Sequence, residues 1–165
     1  MRAFPGLALL TALLIAPAAL AQQESRPRKL GEFDAWTAAA YAERGKEVCY
    51  AFARASREGV LLTVTHRPGG RDTVTVSAGY TYPRNAEPVA TVGGTELAFY
   101  TAGTTAAARD GAAAVRAFRA GREAVMNGPA ANGRGRVSDT FSLMGFTQAY
   151  DAISRECPPG GATRR

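Results

Sequence analysis

The C-terminal part of the chain restricts the fold most, because a strand-like segment runs directly into a helix-like segment that ends in a cysteine. Residues 136–143 alternate between apolar and polar, as in a strand with one buried face. Pro158 and Pro159 then end the helical pattern. We therefore predict an amphipathic helix that packs on a β-rich body. Its apolar stripe covers an arc of roughly 100° and consists of Phe146, Ala149, Tyr150, Ile153 and Cys157.

The first 21 residues have the pattern of a secretory signal. Arg2 gives a positive start, residues 7–15 form an apolar centre, and Ala19-Leu20-Ala21 is a small-x-small cleavage site before Gln22. The apolar run is too short for a permanent bilayer span. We expect an exported protein with no integral membrane span after signal removal. The alternative is a retained N-terminal anchor.

The mature chain contains two cysteines, Cys49 and Cys157. Because an exported protein folds where disulfides persist, we predict that they are bonded to each other; the alternative is two free thiols. Two cysteines and one histidine are too few for an all-protein zinc site. No metal and no cofactor are expected.

The remaining pattern predicts a mainly β protein. Residues 22–31 read as a polar linker, residues 32–158 as one domain and residues 159–165 as a flexible basic tail. We expect an antiparallel sandwich or partly open barrel, with a short helix and the C-terminal helix packed on it. Asp110 caps the short helix, which Gly121 ends. The predicted strands are Phe33–Tyr41, Glu47–Arg54, Val60–Arg67, Asp72–Ala78, Val89–Val92, Thr95–Tyr100, Thr104–Arg109, Glu123–Asn127 and Arg136–Leu143.

The positive charge is spread along the chain rather than clustered. The formal charge is +6, and loss of Arg2 with the signal would make it +5. No basic stripe alternates with aromatic residues, so no nucleic-acid partner is expected. Weak attraction to anionic envelope surfaces fits this composition.

Two polar residues fall on apolar strand faces. His66, the lone histidine, continues the face of Leu62 and Val64, and we expect a hydrogen-bonded structural residue at the rim of the core. Asp139 shares a face with Phe141, and a buried carboxylate needs a partner. We predict a structural pair or network with an arginine, His66 or turn amides. The alternative is a catalytic acid.

Two further features are candidates for recognition. Arg134 and Arg136 lie in a glycine-rich segment, the best surface candidate for contact with a partner, although an ordinary hairpin link has the same pattern. The tyrosines Tyr80, Tyr82 and Tyr100 could form an aromatic contact patch or simply cover strand ends. No Gly-x-Ser-x-Gly elbow, phosphate-binding loop or Cys-x-x-Cys pair occurs, so no catalytic residue is assigned.

Several blocks occur in a fixed order along the mature chain: Trp36, Val48-Cys49-Tyr50, the segment 62–68, the segment 78–83, and the segment 139–150 followed by Cys157. Together they resemble the invasion-associated locus B family of bacterial envelope proteins. Met144 stands where family members often carry serine. The resemblance implies a protein that is secreted, periplasmic or associated with the outer membrane, that has no catalytic residues, and that is linked in some members to host-cell invasion.

Three function classes follow. The first is a binding module that contacts an unknown protein, envelope component or host surface. The second is a periplasmic hydrolase that uses Asp139 and His66, which a shared pocket would favour. The third is a structural or stress-protective periplasmic protein.

Overall fold

Ten strands and two helices make up the computed structural model of this protein, which describes residues 26–160. The expected signal, the first part of the expected linker and residues 161–165 lie outside the described residues. In chain order the elements are β1 (Arg28–Phe33), β2 (Trp36–Glu43), β3 (Lys46–Arg54), β4 (Leu61–Arg67), β5 (Gly70–Ser77), β6 (Val89–Val92), β7 (Thr95–Ala102), β8 (Thr105–Ala108), α1 (Gly111–Ala120), β9 (Glu123–Pro129), β10 (Arg136–Ser142) and α2 (Phe146–Glu156).

The strands form one antiparallel sheet in the order β1-β2-β3-β4-β5-β8-β7-β6-β9-β10. The mainly β prediction is confirmed. The sheet bends until its two ends approach each other, but it does not close into a barrel. Two hydrogen bonds join these two ends of the sheet. The indole Nε1 of Trp36 donates to the carbonyl of Ser142 at 3.0 Å, and the amide of Ala35 donates to the carbonyl of Met144 at 3.3 Å.

The hairpins follow local signals. β4 and β5 pair with Leu62 opposite Val76 and Val64 opposite Val74, and all four side chains are buried. β6 and β7 pair across Gly93 and Gly94, whose φ angles of +52° and +84° are those of the tight turn that such a glycine pair favours.

The N-terminal strands differ from the prediction in two ways. β1 begins at Arg28, inside the stretch expected to be a linker, because its backbone pairs with β2 although most of its side chains are polar. The predicted strand Phe33–Tyr41 is also wrong as one element. The chain reverses at Asp34, whose φ is +49°, so Phe33 pairs back on Trp36.

Helix α1 packs on β5, and helix α2 packs on β1, β2 and β3. The side chain of Asp110 caps α1 by accepting from the amide of Ala113 at 2.9 Å. The helical pattern of the sequence predicts that Ala112, Val115 and Phe118 face inward; Val115 and Phe118 are buried, whereas Ala112 is exposed and Ala114 is buried in its place. No helix among residues 26–160 is long and apolar enough to cross a membrane.

Helix α2 starts at a point where only glycine fits. Gly145 has a φ of +85°, and no side chain caps the helix there. A Cβ atom on Gly145 would lie 1.9 Å from the carbonyl oxygen of Phe33. The predicted stripe is largely buried: Phe146, Ala149 and Ile153 are inaccessible to solvent, and Tyr150 and Cys157 are partly buried. The start of α2 is thereby fixed against the turn between β1 and β2.

Candidate functional site

Asp139 lies on β10, and the structure supplies the partner that its buried carboxylate requires. Arg57, in the loop between β3 and β4, donates from Nε to Oδ1 at 2.8 Å and from Nη2 to Oδ2 at 2.7 Å. The side chain of Asp139 is 6% exposed and that of Arg57 is 39% exposed. Of the three kinds of partner considered for Asp139, the arginine is the one present. This two-point bond raises the pKa of Arg57, because it stabilises the charged guanidinium.

The ion pair is connected to the base of the loop between β9 and β10. The guanidinium of Arg57 lies over the ring of Tyr80, 5.5 Å from its centroid. The hydroxyl of Tyr80 donates to the carbonyl of Pro129, the last residue of β9, at 2.9 Å. The ring of Tyr82 packs against Tyr80 at 5.0 Å, and burial raises the pKa of Tyr82. These contacts fix the position of the loop that follows Pro129.

Of the two alternatives for Tyr80, Tyr82 and Tyr100, the shared contact patch does not form. Tyr82 is only 7% exposed and belongs to the core. Tyr100 is 48% exposed on β7, where its ring contact is with Arg109 at 5.9 Å. Of the three tyrosines, Tyr80 is the one that touches the Asp139 pair, and its role there is structural.

The segment 130–136, here called the arginine loop, is exposed at every position except the half-buried Ala130. The amide of Arg134 donates to Oδ1 of Asn132 at 2.9 Å, and the amide of Gly133 donates to the carbonyl of Ala130 at 2.9 Å. Gly133 and Gly135 have φ angles of +71° and +79°. The loop presents Arg134 and Arg136 to solvent and contains no acidic residue.

His66 lies deeper than expected, 1% exposed rather than at the rim of the core. Its Nδ1 accepts from the amide of Asp72 at 3.3 Å, and its Nε2 is 3.2 Å from the hydroxyl of Ser154 on α2. Nη2 of Arg71 lies 3.0 Å from the same Nε2, so this ring nitrogen faces a guanidinium as well as the hydroxyl of Ser154. The ring packs edge-on against Tyr150 at 5.1 Å. His66 therefore joins the sheet to α2.

The buried histidine should make stability depend on pH. Burial, together with the charge of Arg71, lowers the pKa of His66 from 6.5 to about 4. The unfolded chain therefore binds a proton at a pH where the folded chain does not. The stabilisation that comes from the uncharged His66 is fully present above pH 6.5, and it is lost as the pH falls from 6.5 towards 4. The expected slope is about 1.4 kcal/mol per pH unit, with a total loss of roughly 3 kcal/mol.

Urea unfolding at a series of pH values measures this effect. The protein has one histidine, so His66→Gln leaves no side chain with an ordinary pKa between 5 and 7. The variant should be less stable than the parent protein at pH 7, but its free energy of unfolding should change little between pH 7 and pH 5. The same slope in the variant and in the parent protein would contradict the assignment to His66.

The end of α2 is held by a covalent bond and by a cation. Cys49 on β3 and Cys157 form a disulfide with a Cα–Cα distance of 6.0 Å, and Cys49 is inaccessible to solvent. Arg71, at the start of β5, donates from Nη1 to the carbonyl of Cys157 at 2.5 Å and from Nη2 to the hydroxyl of Ser154 at 3.1 Å. A cation at this position also interacts favourably with the C-terminal end of the helix dipole.

Asp139 and His66 are not brought together. The partner of Asp139 is Arg57, which precedes β4, whereas His66 is near the last residue of β4 and contacts α2 and β5. A hydrolase built on these two residues has no shared pocket. Among residues 26–160, no three His, Cys, Asp or Glu side chains cluster to hold a metal ion.

Two residues that prove central, Arg57 and Arg71, could not be identified from sequence patterns. Arg57 is 82 residues from Asp139, and Arg71 is 86 residues from Cys157. Both residues lie in or next to turns whose sequences show only the pattern of a connection between two strands. The available signal was general: a buried carboxylate and a helix C-terminus each favour a cation.

Comparison with known proteins gives one match. The family described as invasion associated locus B (IalB) protein matches residues 36–154. No curated protein and no solved structure matches significantly. The matched segment begins at Trp36 of β2 and ends within α2, so it contains nine of the ten strands, helix α1, most of α2, the Arg57–Asp139 pair and the His66 contacts, and it leaves out β1 and Cys157. The chain belongs to the invasion-associated locus B family.

Proposed function

We propose that this chain is an exported envelope protein that acts by binding, and that its contact surface is the arginine loop. The observation that carries this proposal is the exposure of Arg134 and Arg136 on a loop whose base is fixed by Tyr80 and the buried ion pair. A fixed loop loses less conformational entropy on binding than a free one. The disulfide suits an oxidising compartment, and the family is not known as enzymatic.

The chemistry of the loop indicates an acidic partner surface. Two guanidinium groups without a neighbouring carboxylate in the loop favour carboxylates or phosphates, which they can bind at two points. In the envelope, such groups occur on lipid headgroups, glycans and acidic proteins. A role in host-cell invasion requires in addition that the loop faces the cell exterior.

Charge reversal at the loop tests this surface. Arg134→Glu with Arg136→Glu should weaken co-sedimentation of the mature protein with the envelope fraction by about tenfold, because both cationic contacts become repulsive. The matched control is Arg116→Glu with Arg122→Glu, two exposed arginines elsewhere with the same change in charge. Equal losses of co-sedimentation in the two variants would show a general effect of charge. No loss in the Arg134→Glu, Arg136→Glu variant would exclude the arginine loop as the contact surface.

Export is tested separately. The mature protein isolated from cells should have the mass of a chain that begins at Gln22. Retention of residues 1–21 would contradict the proposal.

Protease treatment of intact cells then shows on which side of the outer membrane the domain lies. Cleavage before the membrane is broken would support contact with a host or with another cell surface. Protection until the membrane is broken would restrict the partner to the periplasm.

A further inference from the structure

A cavity of about 620 Å³, open to solvent on one side, lies at the end of the sheet opposite the arginine loop. The turn between β2 and β3, the turn between β4 and β5, and the chain that follows α2 form its walls. This volume lies within the range of pockets that hold small organic molecules. Neither the binding proposal for the arginine loop nor the family match assigns a ligand to it.

The cavity has an excess of positive charge. Three cationic side chains line it, Lys46, Arg67 and Arg71, against two acidic ones, Glu47 and Glu156. Both glutamates already form ion pairs with a further cation, Arg28, at 3.2 Å and 2.5 Å. Arg28 compensates one of these two negative charges, and Arg67 in the wall pairs with Glu43 outside it at 3.5 Å. The five charged residues of the wall and these two partners together carry a net charge of +1.

Arg71 is the innermost of these cations. Its Nη1 donates to the carbonyl of Cys157, and its Nη2 lies within hydrogen-bond distance of the hydroxyl of Ser154 and of Nε2 of His66; all three partners are neutral. Among residues 26–160, no carboxylate forms an ion pair with Arg71. A half-buried guanidinium with an uncompensated charge favours an anion nearby.

The rest of the wall consists of His66, four glycines, the prolines Pro68, Pro158 and Pro159, and Cys157 with its bond to Cys49. The prolines and the disulfide supply apolar surface, and proline restricts the backbone next to the glycines. We propose that this cavity is a binding site for a small organic anion, with the anionic group held by Lys46, Arg67 and Arg71 and an apolar body against the prolines.

The test uses 1-anilinonaphthalene-8-sulfonate, a fluorescent probe with a sulfonate on an apolar body, titrated into the oxidised mature protein. Lys46→Glu with Arg67→Glu should weaken its affinity by roughly tenfold, because both exposed contacts become repulsive. Arg134→Glu with Arg136→Glu changes the charge by the same amount at the opposite end and should alter the affinity less than twofold. N-phenyl-1-naphthylamine, which lacks the sulfonate, should bind at least tenfold more weakly.

The position of the probe is read from amide chemical shifts. Gly45, Gly69 and Gly70 line the cavity, and Gly133 and Gly135 lie in the arginine loop. The probe should shift the first three signals and leave the other two unchanged. Equal binding of the neutral analogue, equal effects of the two double variants, shifts outside the cavity, or no binding to the folded protein would each overturn the proposal.

Discussion

Reduction of the bond between Cys49 and Cys157 is expected to lower the free energy of unfolding by about 4 kcal/mol. The bond joins residues that are 108 positions apart, so it restricts most of the unfolded chain and removes much of its entropy. It also ties α2 to β3, and the polar contacts of Ser154 and Arg71 depend on that position. Thermal melts with and without dithiothreitol measure the effect, which should be roughly 15 °C.

The control is Cys49→Ala with Cys157→Ala. This variant should melt near the temperature of the reduced protein and should not respond to dithiothreitol. Alanine is preferred to serine because Cys49 is inaccessible to solvent, where a hydroxyl would have to find a new partner. An unchanged melting temperature on complete reduction would show that the bond does not contribute to stability.

Replacement of Arg57 by alanine should lower the free energy of unfolding by about 3 kcal/mol, because it leaves the carboxylate of Asp139 buried without its partner. Asp139→Asn should cost less, about 1–2 kcal/mol, since the guanidinium that it leaves unpaired is partly exposed and can be hydrated. The two effects should not add. The double variant should be more stable than Arg57→Ala alone.

Chemical denaturation of the three variants completes this cycle. Arg84→Ala is the matched control: Arg84 is an exposed arginine in another loop, and its removal should change stability by less than about 0.5 kcal/mol. If Arg57→Ala and Asp139→Asn both fall within that limit, the buried pair does not contribute to stability. If the double variant shows the sum of the single losses, the two side chains act independently.

Elements specified by neighbouring residues could be predicted from the sequence. The β4–β5 hairpin has alternating valines and threonines around a Pro-Gly-Gly turn, and Asp110 caps α1 through a bond to a residue three positions away. Such signals are local and independent of the rest of the fold. The pairing of the two cysteines was also predictable, because an exported chain with two cysteines has one way to join them.

Features that depend on distant parts of the chain were missed. β1 contains several polar residues, and it forms a strand because its backbone pairs with that of β2 at the edge of the sheet. The reversal at Asp34 needs a positive φ in a residue that is not glycine, which sequence patterns rarely indicate. The partner of Asp139 and the cavity both arise where the bent sheet brings separate turns together.

The ion pair of Arg28 with Glu156 places the start of β1 next to the end of α2. Both ends of the described chain therefore leave the domain beside the cavity, and the arginine loop lies at the other end of β3 and β4. A tether at either terminus, to a bead or to another protein, would orient the domain in the same way, with Arg134 and Arg136 facing outwards. Because Arg28 and Glu156 are in contact, a linker from the end of α2 to the start of β1 would span a short distance, which makes this fold suited to circular permutation.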